Sequence, residues 1–187
     1  EPGPAASLCL AEQVMAGNLR LNGWDDAVEQ WIHRVNFLAR LCPEQCIPSM
    51  GPDERQHILL LVCDEAVCYR DIKDAPVLHH ARSLLTHSQQ QFVDKQAPER
   101  LELPAGRRAK ITYSETADPF LSARIQDLYG VTDDVKLALG RHAVTIHILA
   151  PSQRPVQVTR SLKSFWTETY PGLKQQLQRQ YPKHEWR

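Results

Sequence analysis

The first hundred residues carry apolar side chains at the spacing of an α-helix. In the clearest stretch these side chains recur every three or four positions and form one stripe, made of Val28, Trp31, Ile32, Val35, Leu38 and Ala39. Asp26 and Glu29, three residues apart at its beginning, predict a capping pair. Pro43 predicts the end of the helix, because proline cannot continue the backbone hydrogen-bond pattern.

Shorter segments with the same period flank this helix. Residues 7–16 predict a helix that ends at Gly17. The Gly51-Pro52 pair predicts the start of another helix, which continues through the apolar stretch 58–67. A further helix is expected after Pro76, and a short one that Ser88 caps with Gln91 at the reciprocal position. The N-terminal half is therefore predicted to be all helix.

The pattern changes at Pro98 to a period of two, which is typical of strands. Residues 101–103 and 107–113, joined by a turn at Pro104, Ala105 and Gly106, predict a hairpin. Its second strand alternates between two sets of side chains. One face carries Ala109, Ile111 and Tyr113, and the other carries Arg108, Lys110 and Thr112. The second face is polar, so it is expected to face solvent.

The remaining residues predict further helices and strands. Asp118 and Pro119 predict the start of a helix that ends at Gly130. Residues 135–139 and 143–149 predict a second hairpin, and residues 156–159 a fifth strand. Two final helices, on either side of Pro171, follow.

These elements predict an α+β fold in which a helical N-terminal half precedes a small, mostly antiparallel sheet packed with helices. We expect residues 1–21 to be a linker and a short helix from a preceding domain. Residues 22–97 are expected to form a helical subdomain and residues 98–187 an α+β C-terminal subdomain. The sequence EPGPAA at the start is typical of an interdomain linker, so the chain is interpreted as a piece of a larger protein.

Composition places the chain among globular proteins without a strong overall charge. Of its 187 residues 42% are hydrophobic and 24% charged, and 22 basic side chains balance 22 acidic ones. A charge-balanced surface argues against uniform attraction to nucleic acid but leaves room for a local basic patch. No apolar run is long enough to cross a bilayer, and no signal sequence is evident, which predicts a cytoplasmic protein without membrane contact.

Two motifs that could indicate catalysis or metal binding lack the accompanying residues that such sites require. The stretch ILLLVCDEAV at residues 58–67 is similar to a Walker B box, in which the acidic pair serves Mg²⁺ and water. No G-x-x-x-x-G-K-[ST] phosphate loop accompanies it, so a plain helix end is the better interpretation. Cys42 and Cys46 lack the paired spacing of a closed zinc site, and inert thiols are expected. We predict no catalytic, cofactor-binding or metal-binding residue.

Basic side chains in the C-terminal half are the candidates for nucleic-acid contact, together with one aromatic residue of the tail. Arginine and lysine contacts with phosphates give affinity, and an exposed aromatic ring can stack on a base. The set consists of Arg107, Arg108, Lys110, Arg124, Arg154, Arg160, Lys183, Trp186 and Arg187. The tail residues follow Pro182, where the burial of a helix face no longer accounts for them. The alternative is an ordinary solvated surface.

Several strings together resemble the C-terminal region of the HrpB-type bacterial ATP-dependent helicases, relatives of the DEAH/RHA RNA helicases. The strings are GWD (23–25), VEQWIHRVN (28–36), YRDIKDAP (69–76), ARIQDLYG (123–130), ILAPSQRPVQVT (148–159), LKSFW (162–166) and YPKHEW (181–186). The resemblance covers nearly the whole chain from Asn22 onward.

The resemblance implies a non-catalytic accessory domain of an NTP-driven helicase. ATP and Mg²⁺ would then be cofactors of upstream domains of the same protein, which are the expected partners of this chain. RNA or single-stranded nucleic acid is a further expected partner. The alternative is a protein-docking module without nucleic-acid contact, and a protein partner is expected in that case.

Overall fold

The computed structural model describes residues 4–187, which divide into two compact units, the first ending at Val93 and the second comprising Asp94–Arg187. No helix within residues 4–187 is long and apolar enough to cross a membrane. The predicted α+β class is confirmed, because helices fill the first unit and a small sheet with helices fills the second. The two units are described separately below.

The first unit is built from helices, as the apolar period predicts. They are α1 (Pro4–Met15), α2 (Asp26–Leu41), a 3₁₀ turn (Pro43–Gln45), α3 (Pro52–Cys63), α4 (Tyr69–Lys73), α5 (Val77–Ser83) and α6 (His87–Gln96), the last of which ends just beyond the unit boundary. The short helix α4 has no counterpart among the predicted elements. It lies in the segment before Pro76 that the sequence pattern left unassigned.

Helix α2 is the central helix of this unit because its stripe is almost fully buried. Val28, Trp31, Ile32, Val35 and Leu38 are each no more than 1% exposed. Apolar burial of this kind is the main favourable contribution to folding. The predicted stripe is therefore confirmed as core.

The predicted capping pair at the start of α2 is wrong. The helix begins at Asp26, so Asp25 is the N-cap, and its Oδ1 accepts a hydrogen bond from the Val28 amide at 3.2 Å. Glu29 instead accepts two hydrogen bonds from Arg55, both at 2.8 Å, and one from the Trp24 indole at 2.7 Å. The Arg55 hydrogen bonds lower the pKa of Glu29 to about 2. This carboxylate therefore ties α2 to α3.

Two other predictions concern helix ends. The stretch 58–67 is helical as far as Cys63, so the plain helix end is confirmed against the buried strand of a Walker B box.

The cap of α6 was predicted at Ser88 but lies at Thr86. There the Thr86 hydroxyl accepts from the Gln89 amide and the Gln89 side chain accepts from the Thr86 amide. Both residue pairs have the capping spacing, and the actual start of the helix at His87 decides between them.

The second unit contains the strands and the last helices. Its elements are β1 (Arg100–Glu102), β2 (Arg108–Thr112), β3 (Phe120–Arg124), α7 (Ile125–Leu128), β4 (Lys136–Leu137), β5 (His142–Ala143), β6 (Thr145–Leu149), β7 (Pro155–Thr159), α8 (Leu162–Ser164), a π-helical turn (Phe165–Thr169) and α9 (Tyr170–Gln180). A five-stranded sheet has the order β1-β2-β3-β6-β7, and β4 pairs with β5 separately. All pairs are antiparallel except β3 with β6.

The helix predicted from Asp118 to Gly130 is wrong over its first half. Residues 120–124 form strand β3, in which Leu121 and Ala123 are buried while Ser122 is exposed. Only residues 125–128 are helical. Leu121, Ile125 and Leu128 satisfy a helical period, but Leu121 and Ala123 equally satisfy a period of two. Pairing with β2 and β6 selects the strand.

The second predicted hairpin exists only as a short pair. Lys136 and Leu137 pair with Ala143 and His142, whereas residues 145–149 leave this pair to lie parallel to β3. The fifth strand, at residues 155–159, is confirmed and pairs with β6. Strand β6 joins the larger sheet because Ile146 and Ile148 become fully buried there.

The two last predicted helices form one continuous helical run from Leu162 to Gln180. A π-helical turn lies immediately before Pro171, where the Tyr170 amide donates to the Phe165 carbonyl. Proline has no N–H to donate, so the wider turn lets the chain pass it without a break. Leu162 and Phe165 are buried, which confirms that this helix face is core.

Gly23, in the first unit, is expected to tolerate no side chain. A Cβ at this position would lie 2.1 Å from the Ala75 carbonyl oxygen and 3.2 Å from Val77 Cγ2. We expect Gly23→Ala to lower the free energy of unfolding by about 1–3 kcal/mol because the backbone must shift. Urea denaturation of the 187-residue chain measures this.

Gly172→Ala is the matched control for that measurement. A Cβ at Gly172, in α9, meets nothing within 4 Å. Alanine in a helix is favoured over glycine, so this variant should be unchanged or stabilised by up to about 1 kcal/mol. Equal urea midpoints for Gly23→Ala and the wild type would contradict the predicted close contact.

Candidate nucleic-acid interface

One face of the five-stranded sheet in the second unit is covered by core, and the other carries polar and basic side chains. On β2 the buried residues Ala109 and Ile111 alternate with Arg108 and Lys110, which are exposed. Arg100 on β1 lies opposite Lys110. The predicted separation of the two faces of β2 is confirmed. We name this outer side, from Arg100 to Val158, the open face.

The open face holds a stacked aromatic pair between β3 and β6. The Phe120 and His147 rings are 4.8 Å apart between centroids and nearly parallel, at 13°. His147 lies opposite Ser122 on one side and Val158 on the other, and Val158 is 55% exposed. Both rings are half-buried, so part of each remains accessible. This surface combines flat rings with neighbouring cations.

Arg108, on β2, is held by one exposed ion pair. Arg108 donates to Glu102 at 2.8 Å, but both side chains are well exposed, at 65% and 75%. Exposed ion pairs of this kind contribute little to stability because water screens them. The pair with Glu102 therefore leaves the Arg108 guanidinium accessible.

Arg124 and Arg107 converge on a single buried carboxylate. Arg124, at the end of β3, donates twice to Asp127, at 3.0 Å and 3.2 Å. Arg107, just before β2, lies 3.3 Å from Asp127 Oδ1. The hydrogen bonds to Asp127 raise the pKa of Arg124, so it stays charged. Asp127 is 8% exposed and fixes both arginines at the same end of the sheet.

The C-terminal tail packs back on the same unit, contrary to the expectation that burial does not account for it. The Trp186 ring is half-buried, and its indole N–H donates to the Tyr181 carbonyl at 3.0 Å. Arg187 pairs with Glu185 at 2.8 Å, and its guanidinium lies 5.5 Å from the centre of the Tyr129 ring. The tail therefore brings Arg187 to the side of the unit where Arg107 lies.

Three predicted residues do not join these groups. Arg160 pairs with Asp118, whose other oxygen lies 3.5 Å from His142. Arg154 is exposed in the turn between β6 and β7, and Lys183 is exposed in the tail. The structure thus places Arg108 and Lys110 on the open face. Arg107 and Arg187 line a cleft beside Asp127, the carboxylate with which Arg124 also pairs.

Several residues of this surface were not singled out from the sequence. Phe120 and His147 were assigned to a helix and a hairpin, so their stacking across parallel strands was not foreseeable. Asp127 lies three residues after Arg124, and side chains at this spacing are neighbours on a helix. This spacing could therefore have predicted their ion pair. The string ARIQDLYG, on which the family resemblance partly rests, contains Asp127 and Tyr129.

The acidic pair of the stretch that is similar to a Walker B box lies at a helix end. Asp64 and Glu65 follow the end of α3, with Glu65 in a left-handed conformation at φ 59°, instead of following a buried strand. No group of three or more His, Cys, Asp or Glu side chains within residues 4–187 is arranged to hold a metal ion.

Comparison with known protein families shows which family the chain belongs to. The family model described as "ATP-dependent helicase C-terminal", HrpB_C, matches residues 59–187. The chain belongs to the HrpB_C family. The resemblance inferred from the sequence strings is confirmed, and the match includes the whole sheet-containing unit of this HrpB_C chain.

Relatives of this HrpB_C chain are much longer. The ATP-dependent RNA helicase HrpB of Escherichia coli K12 is 30% identical over an alignment of 183 positions, which covers 93% of this chain and 23% of that protein. The crystal structure of the E. coli DExH-box NTPase HrpB matches with a TM-score of 0.81 at 30% identity, over 88% of this chain and 21% of the other. A second, of the E. coli DEAH/RHA helicase HrpB, has a TM-score of 0.73 at 30% identity, over 89% and 21%.

The Tyr129 hydroxyl is expected to hold the tail in place. It lies 2.8 Å from the Tyr170 hydroxyl, 3.3 Å from the Glu185 carbonyl and 3.4 Å from the Arg187 amide. Tyr129→Phe should therefore loosen the tail and speed trypsin cleavage after Lys183 severalfold, and it should lower the stability by about 1 kcal/mol. Timed proteolysis and hydrogen exchange of the tail amides measure the effect.

Tyr113→Phe is a matched control because its hydroxyl donates to the Pro98 carbonyl at 2.8 Å, within the sheet region instead of the tail. This variant should be destabilised to a comparable degree without faster cleavage after Lys183. If both variants leave the cleavage rate unchanged, the Tyr129 hydroxyl does not secure the tail.

Proposed function

We propose that this chain is the non-catalytic C-terminal part of an ATP-dependent RNA helicase and that it binds single-stranded RNA on the open face. Membership of the HrpB_C family and the 30% identity to a protein named an ATP-dependent RNA helicase support the helicase assignment. ATP and Mg²⁺ would be held by upstream domains of the same protein. The purified 187-residue chain should accordingly hydrolyse no ATP.

The single observation that favours RNA is the combination of stacked rings and cations on one accessible sheet face. Phe120 and His147 lie parallel at 4.8 Å, and Arg108 and Lys110 are exposed on the adjacent strand β2. Base stacking on aromatic side chains and phosphate contact by cations are the two recurring contributions to single-strand binding. Both contributions are sequence-tolerant, as a helicase requires.

Sheet strands also space these groups suitably. Phe120 lies opposite Thr112 on β2 and Thr145 on β6, so the stacked pair occupies the middle of the sheet. Thr112, Ser122 and Thr145 are small polar neighbours of these half-buried rings. A strand of RNA that crosses the sheet from β6 towards β1 would contact the rings on β6 and β3 before the cations on β2.

Fluorescence titration of a single-stranded RNA at several salt concentrations separates the two contributions. Replacing Arg108 and Lys110 with Gln should make the slope of log affinity against log salt shallower by about 0.7 for each phosphate that the protein no longer neutralises. Phe120→Ala should leave that slope unchanged and cost about 1–3 kcal/mol of binding free energy at every salt concentration.

Arg179→Gln provides the control, since it removes one positive charge from an exposed position on α9. Its salt slope and affinity should equal those of the wild type. Absence of RNA binding at low salt would refute the proposal and favour the protein-docking alternative. Equal weakening in the control and the β2 variants would show only general charge attraction.

A further inference from the structure

Two cations face each other across the first two strands of the open face. Arg100 on β1 is the register partner of Lys110 on β2, and both side chains are exposed. Residues at directly opposite positions of an antiparallel pair have Cβ atoms about 4.5–5.5 Å apart, and like charges there destabilise the pair. The chain therefore carries a repulsive contact at a position where a carboxylate would be favourable.

The next pair of exposed residues along the same two strands has opposite charges. Glu102 is the register partner of Arg108, and the two side chains form an ion pair at 2.8 Å. The same strands and the same face thus carry one attractive and one repulsive pair. The repulsion between Arg100 and Lys110 therefore belongs to that one position and is not imposed by the pairing of the strands.

The open side of this strand pair has an excess of positive charge. Within β1 and β2 it carries three cations, Arg100, Arg108 and Lys110, and one carboxylate, Glu102. If Glu99, which directly precedes β1 and is exposed, is counted as well, three cations face two carboxylates, an excess of one. An anion bound between Arg100 and Lys110 would offset their repulsion.

The repulsive pair lies beside the stacked rings of Phe120 and His147. Lys110 is on the strand next to that of Phe120, and Arg100 is one strand further out, at the edge of the sheet. Neighbouring strands are about 4.8 Å apart, so β1 is separated from β3 by roughly 10 Å. A short stretch of single-stranded RNA spans this distance, with its bases on the rings and a phosphate between the two cations.

A cation at the edge of a sheet also has a simpler explanation. Charged side chains on an edge strand discourage pairing with another chain, and β1 is an edge strand. Arg100 alone would serve that purpose, without a second cation directly opposite it on β2. The opposed arrangement therefore favours the binding of an anion.

We propose that Arg100 is an RNA-binding residue of the open face and that, with Lys110, it holds one phosphate of the strand whose bases stack on the rings. This assignment rests on the function proposed above, and it adds a residue that was not among the predicted nucleic-acid contacts. Arg100 strengthens RNA binding while it weakens the pairing of β1 with β2. Its substitution should therefore change affinity and stability in opposite directions.

Thermal melting of the 187-residue chain at low salt tests the repulsion. Arg100→Glu places a carboxylate opposite Lys110 and should raise the melting temperature by about 1–3 °C. The rise should shrink at high salt because the pair is exposed and ions screen it. Arg100→Lys keeps the positive charge and should melt with the wild type. A melting temperature of Arg100→Glu below that of the wild type would overturn the inference.

Fluorescence titration with single-stranded RNA measures the effect on binding. Arg100→Gln should weaken binding about fivefold at low salt and make the salt slope shallower by about 0.7, as expected for one lost phosphate contact. Arg100→Lys should retain the affinity and the slope of the wild type. Glu102→Gln, which removes the carboxylate from the same strand, should bind more tightly although Arg108 loses its ion pair.

Arg179→Gln is the matched control, because it removes one exposed positive charge on α9, outside the open face. It should bind RNA as the wild type does. If Arg100→Gln weakens binding no more than this control, Arg100 has no specific contact with RNA and the inference is wrong.

The same titration separates the role of Arg100 from the function on which it rests. If Phe120→Ala weakens RNA binding but Arg100→Gln leaves affinity and salt slope unchanged, the open face binds RNA without Arg100. An Arg100→Gln variant that binds normally but self-associates in sedimentation would show that the cation protects the strand edge instead. If the wild type binds no RNA at low salt, both proposals are wrong.

Discussion

The parallel pairing of β3 with β6 is the constraint on which the second unit depends. Two neighbouring parallel strands cannot be joined by a tight turn, so the chain must cross from the end of β3 at Arg124 to the start of β6 at Thr145. The crossover contains α7 and the short β4–β5 pair. It therefore places Gln126, Asp127 and Tyr129 together at one end of the sheet.

That crossover explains why charged residues distant in sequence meet. Asp127 pairs with Arg124, three residues earlier in the chain, and with Arg107 in the turn before β2. The Tyr129 hydroxyl contacts the Tyr170 hydroxyl and the C-terminal tail. A carboxylate that is nearly buried needs such cationic partners, because isolation from water would otherwise be costly. The same demand that stabilises the fold thus orients Arg107 and Arg124.

The charged side chains of the open face and of the cleft are held in different ways. On the open face Arg108 and Lys110 are exposed, and the rings of Phe120 and His147 stack on each other. In the cleft Arg107 and Arg187 are each paired with a carboxylate. The helical first unit is held by the apolar stripe of α2.

The sequence by itself determined the helices of the first unit, the two faces of β2 and the family, because these depend on local periodicity or on strings of residues. Val28 to Leu38 can be buried along only one stripe of a helix, and Arg108 and Lys110 must share a side of a strand. Tertiary structure alone decided that Phe120–Arg124 is a strand, since its apolar spacing satisfies both periods and only the partners β2 and β6 distinguish them. It also decided the meeting of Arg107, Arg124 and Asp127, the stacking of Phe120 on His147 and the docking of Trp186, because each depends on contacts between segments that no local pattern encodes.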